Sequence, residues 1–459
     1  MSESPVVVIL VVGLTPSMLG PDTPHLSALA KDGFAAPLEP VLPAVTCSAQ
    51  ASLLTGVLPR EHGIVANGWY FRDLAEVLFW RQSNQLVTHE KVWEAARRAR
   101  PDLTTAKMFW WYNMYSTAEF SVTPRPMYPA DGRKLPNVYS EPPELGRELQ
   151  ERFGTFPLFS FWGPNANLSS TDWIAKASLA TFNEKRPGLT LIYLPHLDYC
   201  LQKYGPSDPR VRQEIREVDR VAGELIEKTR ARGAEVVVVS EYGIEQAEGA
   251  VRINQRLRDA GLIAVQDTLG WELLDAGASR AFAVADHQLA HIYVRDPADV
   301  ARVRDILTKE PGIERVLDES GKREMGLDHP RSGELVAIAQ PGYWFAYYYW
   351  LDDARAPDFA RTVDIHRKPG YDPVELFLDP DSRLVKARIA WTLAKKIAGF
   401  RYLMNVIPLK PELVRGTHGR VTVGDAGPIL ICSNKKGQKD RFHQTEFKAF
   451  LLTQLGVRS

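Results

Sequence analysis

The chain has 459 residues, 45% of them hydrophobic and 24% charged, and its 56 basic residues balance its 56 acidic ones. This is the composition of an ordered globular protein, and the zero net charge argues against a main role in binding nucleic acid or an anionic membrane surface, so we expect no nucleic-acid polymer and no membrane among its partners. The three cysteines form no Cys-x-x-Cys pair, which excludes a disulfide framework and a thiolate zinc site and favours a cytoplasmic location.

Three apolar segments predict the centre of a parallel sheet. Residues 6–12 form an unbroken apolar run, and 189–194 and 235–239 have the same character. Strands that are covered on both faces read in this way, because neither face needs polar side chains. An amphipathic helix is predicted at 209–230, so that the last two strands form a right-handed βαβ unit around it. Further helices are predicted at 24–31, 89–98, 170–183 and 382–397.

Two segments differ from this pattern. Residues 112–164 are rich in proline and aromatic residues, and we expect irregular structure there over the carboxyl edge of the sheet, where α/β folds place their sites. Residues 244–380 contain strands of their own, predicted at 282–284, 289–294 and 334–339, and the aromatic tract 343–350 predicts a packed strand. The chain is thus predicted to be one α/β domain, 1–459, with a cap segment at 112–164 and an inserted or cap subdomain at 244–380.

The densest group of chemically suggestive residues begins at Thr46. Residues 48–54 predict a short helix, which places the hydroxyl of Thr46 at the N-terminus of that helix. Free N–H groups and the positive end of the helix dipole suit an anionic phosphate or sulfate group at such a position. The run continues with Thr55-Gly56, Pro59, His62-Gly63-Ile64 and Asn67.

This run resembles the nucleophile region of the alkaline phosphatase superfamily, and is most similar to the type I phosphodiesterase/nucleotide pyrophosphatase family. Further motifs follow in the family's order, each after a predicted strand or before one: Asp198 with Gln202, Ser240-Glu241-Tyr242-Gly243, and Gly416-Thr-His418-Gly419. The resemblance implies an α/β fold with a central, mostly parallel sheet sandwiched by helices. It also implies hydrolysis of phosphate esters, with Thr46 as the nucleophile, Asn67 in the same anion pocket, and two divalent metals, usually zinc.

Three of the seven metal-ligand positions that the resemblance implies are lost. Val12 replaces an aspartate and has no ligand atom, while Gln202 and Tyr242 replace histidines. A phenol with a pKa of about 10 is a poor zinc ligand at neutral pH. The positions that are kept or conservatively changed are Thr46, Asp198, Glu241 and His418. We therefore expect a divalent metal, zinc by the resemblance, at fewer than two per chain, with a metal-free site as the alternative.

A single metal site would need one more ligand besides Asp198 and His418, because three protein ligands and an open position form the catalytic pattern. His196, His287 and His366 are the alternatives, and His366 is included in the predicted metal site because it precedes a rigid Pro-Gly-Tyr-Asp-Pro loop. The pair Asp286-His287 is better interpreted as a hydrogen-bonded turn before a strand.

Two lysines adjoin the family motifs, Lys203 and Lys368. A cation replaces part of the charge of a lost metal, so both are candidates for binding an anionic substrate.

Two hypotheses about function follow. The chain is a phosphodiesterase/nucleotide-pyrophosphatase-like hydrolase that uses Thr46 and a reduced metal site, or it is a catalytically degenerate member of the family that binds a phosphorylated ligand or a partner. A lyase or transferase of altered metal chemistry is a third, weaker alternative. The fold does not decide among them, since function depends on the site. The expected ligand is in each case a small phosphorylated molecule.

Overall fold

The computed structural model describes residues 4–382, 384–400 and 402–457. The strands are β1 Val6–Val11, β2 Phe34–Glu39, β3 Gly68–Phe71, β4 Glu76–Phe79, β5 Thr105–Met108, β6 Phe120–Pro124, β7 Val138–Glu141, β8 Leu189–Leu194, β9 Glu235–Val239, β10 Glu245–Gln246, β11 Gly249–Val251, β12 Ala264–Thr268, β13 Trp271–Asp275, β14 Ala281–Asp286, β15 Leu289–Val294, β16 Ile313–Leu317, β17 Leu335–Ala339, β18 Tyr343–Phe345, β19 Gly416–Thr417, β20 Ile429–Cys432 and β21 Phe442–His443.

The α-helices are α1 Pro24–Asp32, α2 Thr46–Thr55, α3 Pro59–His62, α4 Val92–Ala99, α5 Pro143–Phe153, α6 Leu158–Phe161, α7 Leu168–Lys185, α8 His196–Tyr204, α9 Val211–Arg230, α10 Ile253–Asp259, α11 Val300–Thr308, α12 Glu319–Glu324, α13 Val385–Ile397 and α14 Phe447–Gln454. Short 3-10 helices lie at Pro16–Met18, Asn84–Leu86, Pro297–Asp299, Asp353–Arg355, Asp358–Arg361, Pro373–Leu376, Pro411–Leu413, Gly424–Ala426 and Gln444–Glu446.

A nine-stranded sheet forms the centre of the molecule, in the order β21-β2-β20-β9-β1-β8-β5-β6-β7. The three predicted apolar strands are adjacent in it: β1 pairs in parallel with β8 on one side and with β9 on the other. Every side chain of β1 is fully buried, as expected of a strand that is covered by helices on both faces. The predicted α/β fold with a central, mostly parallel sheet is therefore confirmed.

Helices cover this sheet as the apolar periodicity predicts. The helix predicted at 209–230 is α9, which packs against α1, α7 and α8, while α2 and α4 contact α14. Among the described residues, no helix has both the length and the apolar character needed to cross a bilayer.

A second, four-stranded antiparallel sheet, β14-β15-β17-β16, lies within 244–380. It has an apolar core of its own, to which the aromatic tract contributes fully buried side chains such as Trp344 and Trp350. Only the first three residues of that tract form a strand, β18, and the rest is buried without regular structure. The prediction of a continuous strand there was wrong, because burial of the rings and not pairing of the backbone accounts for the aromatic composition.

The segment 112–164, expected to be irregular, instead contributes β6 and β7 to the edge of the main sheet. Helix α5 covers β7. The proline content misled the interpretation because Pro124 is the last residue of β6 and lies beyond residues 120–122, which pair with β5, so its missing N–H interrupts no pairing with β5. The division into one α/β domain with caps at 112–164 and 244–380 stays a prediction.

Candidate active site

The carboxyl edge of the main sheet brings the motif residues together. Thr46 is the first residue of α2, Asp198 lies in the first turn of α8 directly after β8, and Tyr242 follows β9. His418 comes directly after β19. All four side chains are at least nine-tenths buried, so polar atoms among them must pair with one another or lose hydrogen bonds that water would make.

A hydrogen-bond chain connects Thr46 to Asp198. Oγ1 of Thr46 lies 3.0 Å from Oη of Tyr242, which donates to Oδ1 of Asp198 at 3.3 Å. Because the phenol donates to the carboxylate, the hydroxyl of Thr46 is left to donate to the phenol. Tyr242, which stands where the resemblance implies a histidine, thus links Thr46 and Asp198 through its own hydroxyl group.

The second oxygen of Asp198 is also bonded by a residue that replaces a histidine. Nε2 of Gln202 donates to Oδ2 at 2.8 Å, and Oε1 of Gln202 accepts a hydrogen bond from the hydroxyl of Tyr371 at 2.9 Å. Burial raises the pKa of Asp198 to about 7, although the bonds from Gln202 and Tyr242 act in the opposite direction. Tyr371 was not singled out from the sequence, although its loop was.

His418 has one nitrogen bonded and one free. Nδ1 lies 2.8 Å from the carbonyl oxygen of Ala44, to which it donates, and burial lowers the pKa of His418 to about 3, so the ring is neutral. Nε2 therefore carries a lone pair; it is buried, has no hydrogen-bond partner among the described residues, and lies 3.6 Å from Oδ1 of Asp198. An imidazole whose other nitrogen is fixed by a backbone carbonyl is the usual arrangement of a metal ligand.

Aromatic rings hold His418 in place. The ring of Tyr242 stacks on the ring of His418, with the two centroids 3.7 Å apart. The ring of His287 also contacts the ring of His418, at a tilt and with a centroid distance of 3.6 Å. His287 stacks in turn on Tyr371 at 3.7 Å. His287 is thus a packing neighbour of the site, and burial holds its pKa well below the usual range.

Asn67 is fixed by a carboxylate from the second sheet. Its backbone N–H and its Nδ2 donate to the two oxygens of Asp286, at 2.7 and 3.0 Å, and its Oδ1 accepts from the N–H of Cys47 in the first turn of α2. Burial raises the pKa of Asp286 to about 7. Asp286 was interpreted from the sequence as part of a turn; nothing local marked it, because it acts on a residue 219 positions away.

Glu241 is bonded by neutral donors only. Its Oε1 accepts from Nε2 of Gln50 at 2.5 Å, while Oε2 is buried without a hydrogen-bond partner among the described residues. Burial raises the pKa of Glu241 well above the usual range, although the bond from Gln50 acts in the opposite direction. Gln50, one turn into α2, is a further residue that the sequence interpretation missed.

The side chains present do not fit two metals. The second ligand set would consist of Thr46 and Glu241, with Val12 lacking any donor and Tyr242 occupied between Thr46 and Asp198. The first set fits one metal better, because the free Nε2 of His418 and Oδ1 of Asp198 are 3.6 Å apart. Two ligands on one tetrahedral metal, each about 2 Å from it, are separated by about 3.3 Å.

Four other predicted or alternative site residues lie in different surroundings. Nδ1 of His366 lies 3.4 Å from the carbonyl oxygen of Phe79, and Nε2 of His196 lies 2.6 Å from Oε2 of Glu214. Neither histidine therefore completes the pair of Asp198 and His418 in this structure.

The two lysines are also engaged elsewhere. Lys368, predicted to bind substrate, is instead fully buried, with its ammonium 2.8 Å from Asp372 and 2.7 Å from Glu375. These two carboxylates raise the pKa of Lys368 despite its burial. Lys203 lines a cavity of about 300 Å³ together with His196, and donates to the carbonyl oxygen of Pro164 at 3.4 Å.

Solved structures show the same fold. Murine ectonucleotide pyrophosphatase/phosphodiesterase 5 in complex with AMP matches with a TM-score of 0.60 at 16% identity, covering 99% of this chain and 96% of that one. Phosphonoacetate hydrolase from Sinorhizobium meliloti, in complex with phosphonoacetate, matches with a TM-score of 0.64 at 13% identity and the same coverage.

Curated relatives match over shorter stretches. An uncharacterised pyrophosphatase/phosphodiesterase of Schizosaccharomyces pombe is 26% identical over 233 residues, which are 48% of this chain and 41% of the relative. Human ectonucleotide pyrophosphatase/phosphodiesterase family member 7 is 24% identical over 282 residues, 59% of this chain and 54% of the relative. The chain thus spans about half the length of the curated relatives it matches. A family model matches residues 6–372, four-fifths of the chain. By that match, the chain belongs to the type I phosphodiesterase/nucleotide pyrophosphatase family.

Proposed function

We propose that this protein hydrolyses esters of a small phosphorylated molecule, with Thr46 as the nucleophile and a single divalent metal held by Asp198 and His418. The observation that carries the proposal is the unpartnered Nε2 of His418, which lies 3.6 Å from Oδ1 of Asp198. A buried nitrogen without a partner costs about 1–3 kcal/mol, and a metal would remove that cost. When bound, the metal would polarise the phosphoryl oxygens and stabilise the charge that develops on them.

The residues around Thr46 supply the rest of the chemistry. The first turn of α2 presents the positive end of its dipole to an anionic group. Attack forms a bond between Oγ1 of Thr46 and phosphorus and breaks the bond to the leaving oxygen. Water then attacks the phosphorus of this phosphothreonine, which breaks the bond to Oγ1, returns a proton to Thr46 and releases the phosphate product. The proton of Thr46 lies on the hydrogen-bond chain through Tyr242 to the carboxyl group of Asp198, and the departing oxygen takes up a proton from solvent. Asn67 is a positioning residue in this proposal, because its amide fixes the start of α2.

One observation favours a second candidate, a family member that binds a phosphorylated ligand without turnover. The phenol of Tyr242 fills the space between Thr46 and Asp198, and Thr46 is only 4% exposed. Because burial raises the pKa of Tyr242 well above its usual range, the phenol stays neutral and cannot act as a base by itself. In this alternative the anion pocket persists and the chemical step is lost.

The test is turnover of bis(p-nitrophenyl) phosphate by the full chain, without added metal and with Zn²⁺ or Mn²⁺. The proposal expects metal-dependent turnover that Thr46→Ala abolishes and that Thr55→Ala leaves unchanged, since the hydroxyl of Thr55 donates to the carbonyl oxygen of Ala51 in its own helix. His418→Ala should remove the bound metal, measured by elemental analysis, whereas substitution of the exposed His25 should not.

Absence of turnover together with binding of AMP, measured by calorimetry, would support the second candidate and refute the first. Retention of turnover in Thr46→Ala would refute both the nucleophile and the pocket. A cytoplasmic location and the exclusion of nucleic-acid polymers as partners stay predictions.

A further inference from the structure

Helix α13 exposes an apolar face to solvent. Trp391 is 65% exposed and Ile397 88%, and Phe400, just beyond the helix, is 67% exposed. Exposed apolar side chains that occur singly need no explanation, but several on one helix mark a surface that binds something. The helix lies outside residues 6–372, the part that the family model matches, so the family's common machinery does not account for it.

The exposed side is not the side by which the helix is attached. Val385 and Ile389, one turn apart, pack against the apolar core of the second sheet. At 100° per residue, Trp391, Ala394 and Ile397 lie on the opposite half of the helix. The attached side is therefore satisfied by the protein itself, and the side with Trp391 and Ile397 is left without a partner among the described residues.

The charges around this face have one sign. The sequence from 382 to 404 contains six Lys or Arg residues and no Asp or Glu. Lys386, Arg388 and Lys395 are exposed on α13 itself, and the ammonium of Lys395 lies 5.5 Å from the ring centroid of Trp391. The net charge of the whole chain is zero because acidic residues elsewhere balance this basic segment. The net charge alone therefore did not indicate a membrane partner.

This combination favours an anionic lipid surface over a protein. Lysine is depleted in protein–protein interfaces, whereas helices that lie in the plane of a membrane combine Lys and Arg with an apolar face that carries Trp, Phe or Leu. Tryptophan favours the boundary between headgroups and acyl chains because its ring is apolar and its N–H is polar. With 13 residues the helix is about 20 Å long, enough to lie along a membrane surface.

We propose that α13 docks this protein reversibly on anionic membrane surfaces, with the face around Trp391 and Ile397 inserted among the headgroups and the flanking lysines and arginine on the lipid phosphates and carboxylates.

The experiment is co-sedimentation of the full chain with vesicles of phosphatidylcholine alone and of phosphatidylcholine with about one-quarter phosphatidylserine. We expect binding to the anionic vesicles only, weakened by high salt because the cations are exposed. Each basic residue near an anionic surface contributes about fivefold to partitioning, so K386Q/K395Q should weaken binding at least tenfold. W391S/I397S should weaken it by a similar factor through loss of apolar burial.

Matched controls distinguish binding through α13 from nonspecific binding through other exposed apolar or basic side chains. L269S/W271S removes two exposed apolar side chains from the hairpin of β12 and β13, and K435Q/K436Q removes two exposed lysines far along the chain. Both should bind within twofold of the unmodified chain.

Four results would overturn the proposal: no binding to the anionic vesicles, equal binding to both vesicle types, unchanged binding of both helix variants, or a dimer in solution that W391S/I397S dissociates. The last result would assign the face to a second copy of the chain. Sedimentation velocity without lipid checks for it, and near-equal melting temperatures show that the variants are folded.

Discussion

Replacing Asp198 by asparagine should stabilise the metal-free protein at neutral and alkaline pH. The fold raises the pKa of Asp198 from 3.8 to about 7, chiefly by burial. A carboxyl group with a raised pKa contributes stability that is fully present below about pH 4 and is lost as the pH rises through about 7. Asparagine does not titrate and keeps its contribution at every pH. It also fits the surroundings, because its Oδ1 can accept from Gln202 while its Nδ2 faces Nε2 of His418, with the phenol of Tyr242 turned to donate to Thr46 instead of to residue 198.

The size of the effect follows from the pKa shift of Asp198. One pH unit corresponds to about 1.4 kcal/mol, so the full rise amounts to about 4 kcal/mol. About 3 kcal/mol of this falls between about pH 5 and pH 8. The free energy of unfolding of D198N minus that of the unmodified protein should therefore increase by about 3 kcal/mol over that interval and level off above it.

The assay is urea unfolding followed by tryptophan fluorescence, at several pH values and after removal of metal with a chelator. Asp305→Asn is the control, since that side chain is 63% exposed in an i,i+4 pair with Lys309, and its difference should be nearly constant with pH. A difference for D198N that does not change between about pH 5 and pH 8 would show that Asp198 is ionised throughout and that the site contains a cation that we have not identified.

Three further predictions concern the same site. Val12→Asp combined with Gln202→His and Tyr242→His should raise the zinc content above that of the unmodified protein, which we expect to be clearly below two per chain; elemental analysis checks it, with Val12→Asn in place of Val12→Asp as the control. Glu241→Gln should leave turnover within about twofold and raise the melting temperature at alkaline pH, because burial raises the pKa of Glu241 and so disfavours its ionised form; a strong loss of turnover would mean that the ionised carboxylate is needed. Asp286→Ala should destabilise the protein by about 2–5 kcal/mol in chemical unfolding, because two buried donors of Asn67 lose their acceptors; a loss below about 1 kcal/mol would show that water replaces the carboxylate.

The central sheet was predictable because its strands are buried on both faces. An unbroken run such as residues 6–12 needs no knowledge of its neighbours to be recognised. Strands β6 and β7 carry no such signal: they have only five and four residues, polar and apolar residues are mixed in them, and a proline ends β6. For the aromatic tract 343–350 the error was the opposite: a strand was predicted, but most of the segment has no regular structure. A buried segment of this kind has the composition of a strand without its backbone pairing.

Within the site, residues near a motif were predictable and residues that act from a distance were not. Asp198, Glu241 and His418 each follow a strand in a recognisable order, so their meeting at one edge follows from the topology. Asp286, Gln50 and Tyr371 reach the site only through the tertiary fold. Lys368 was predicted to bind substrate because it lies next to a motif in the sequence. Its ammonium is instead buried between Asp372 and Glu375, so proximity to a motif did not predict its surroundings.

The substitutions at this site are consistent with one another when they are considered as a set. Asp198, Glu241 and Asp286 are all buried, and the donors that bond their side-chain oxygens are amides of glutamine and asparagine, a phenol and a backbone N–H. A two-metal centre would place four positive charges among such carboxyl groups, whereas the donors that bond to them here are uncharged. Burial raises the pKa of each carboxyl group, so each of them binds a proton more readily than an exposed carboxyl group does. A metal that binds beside His418 therefore competes with a proton for the carboxyl group of Asp198, which couples metal binding, and with it the proposed catalysis, to pH.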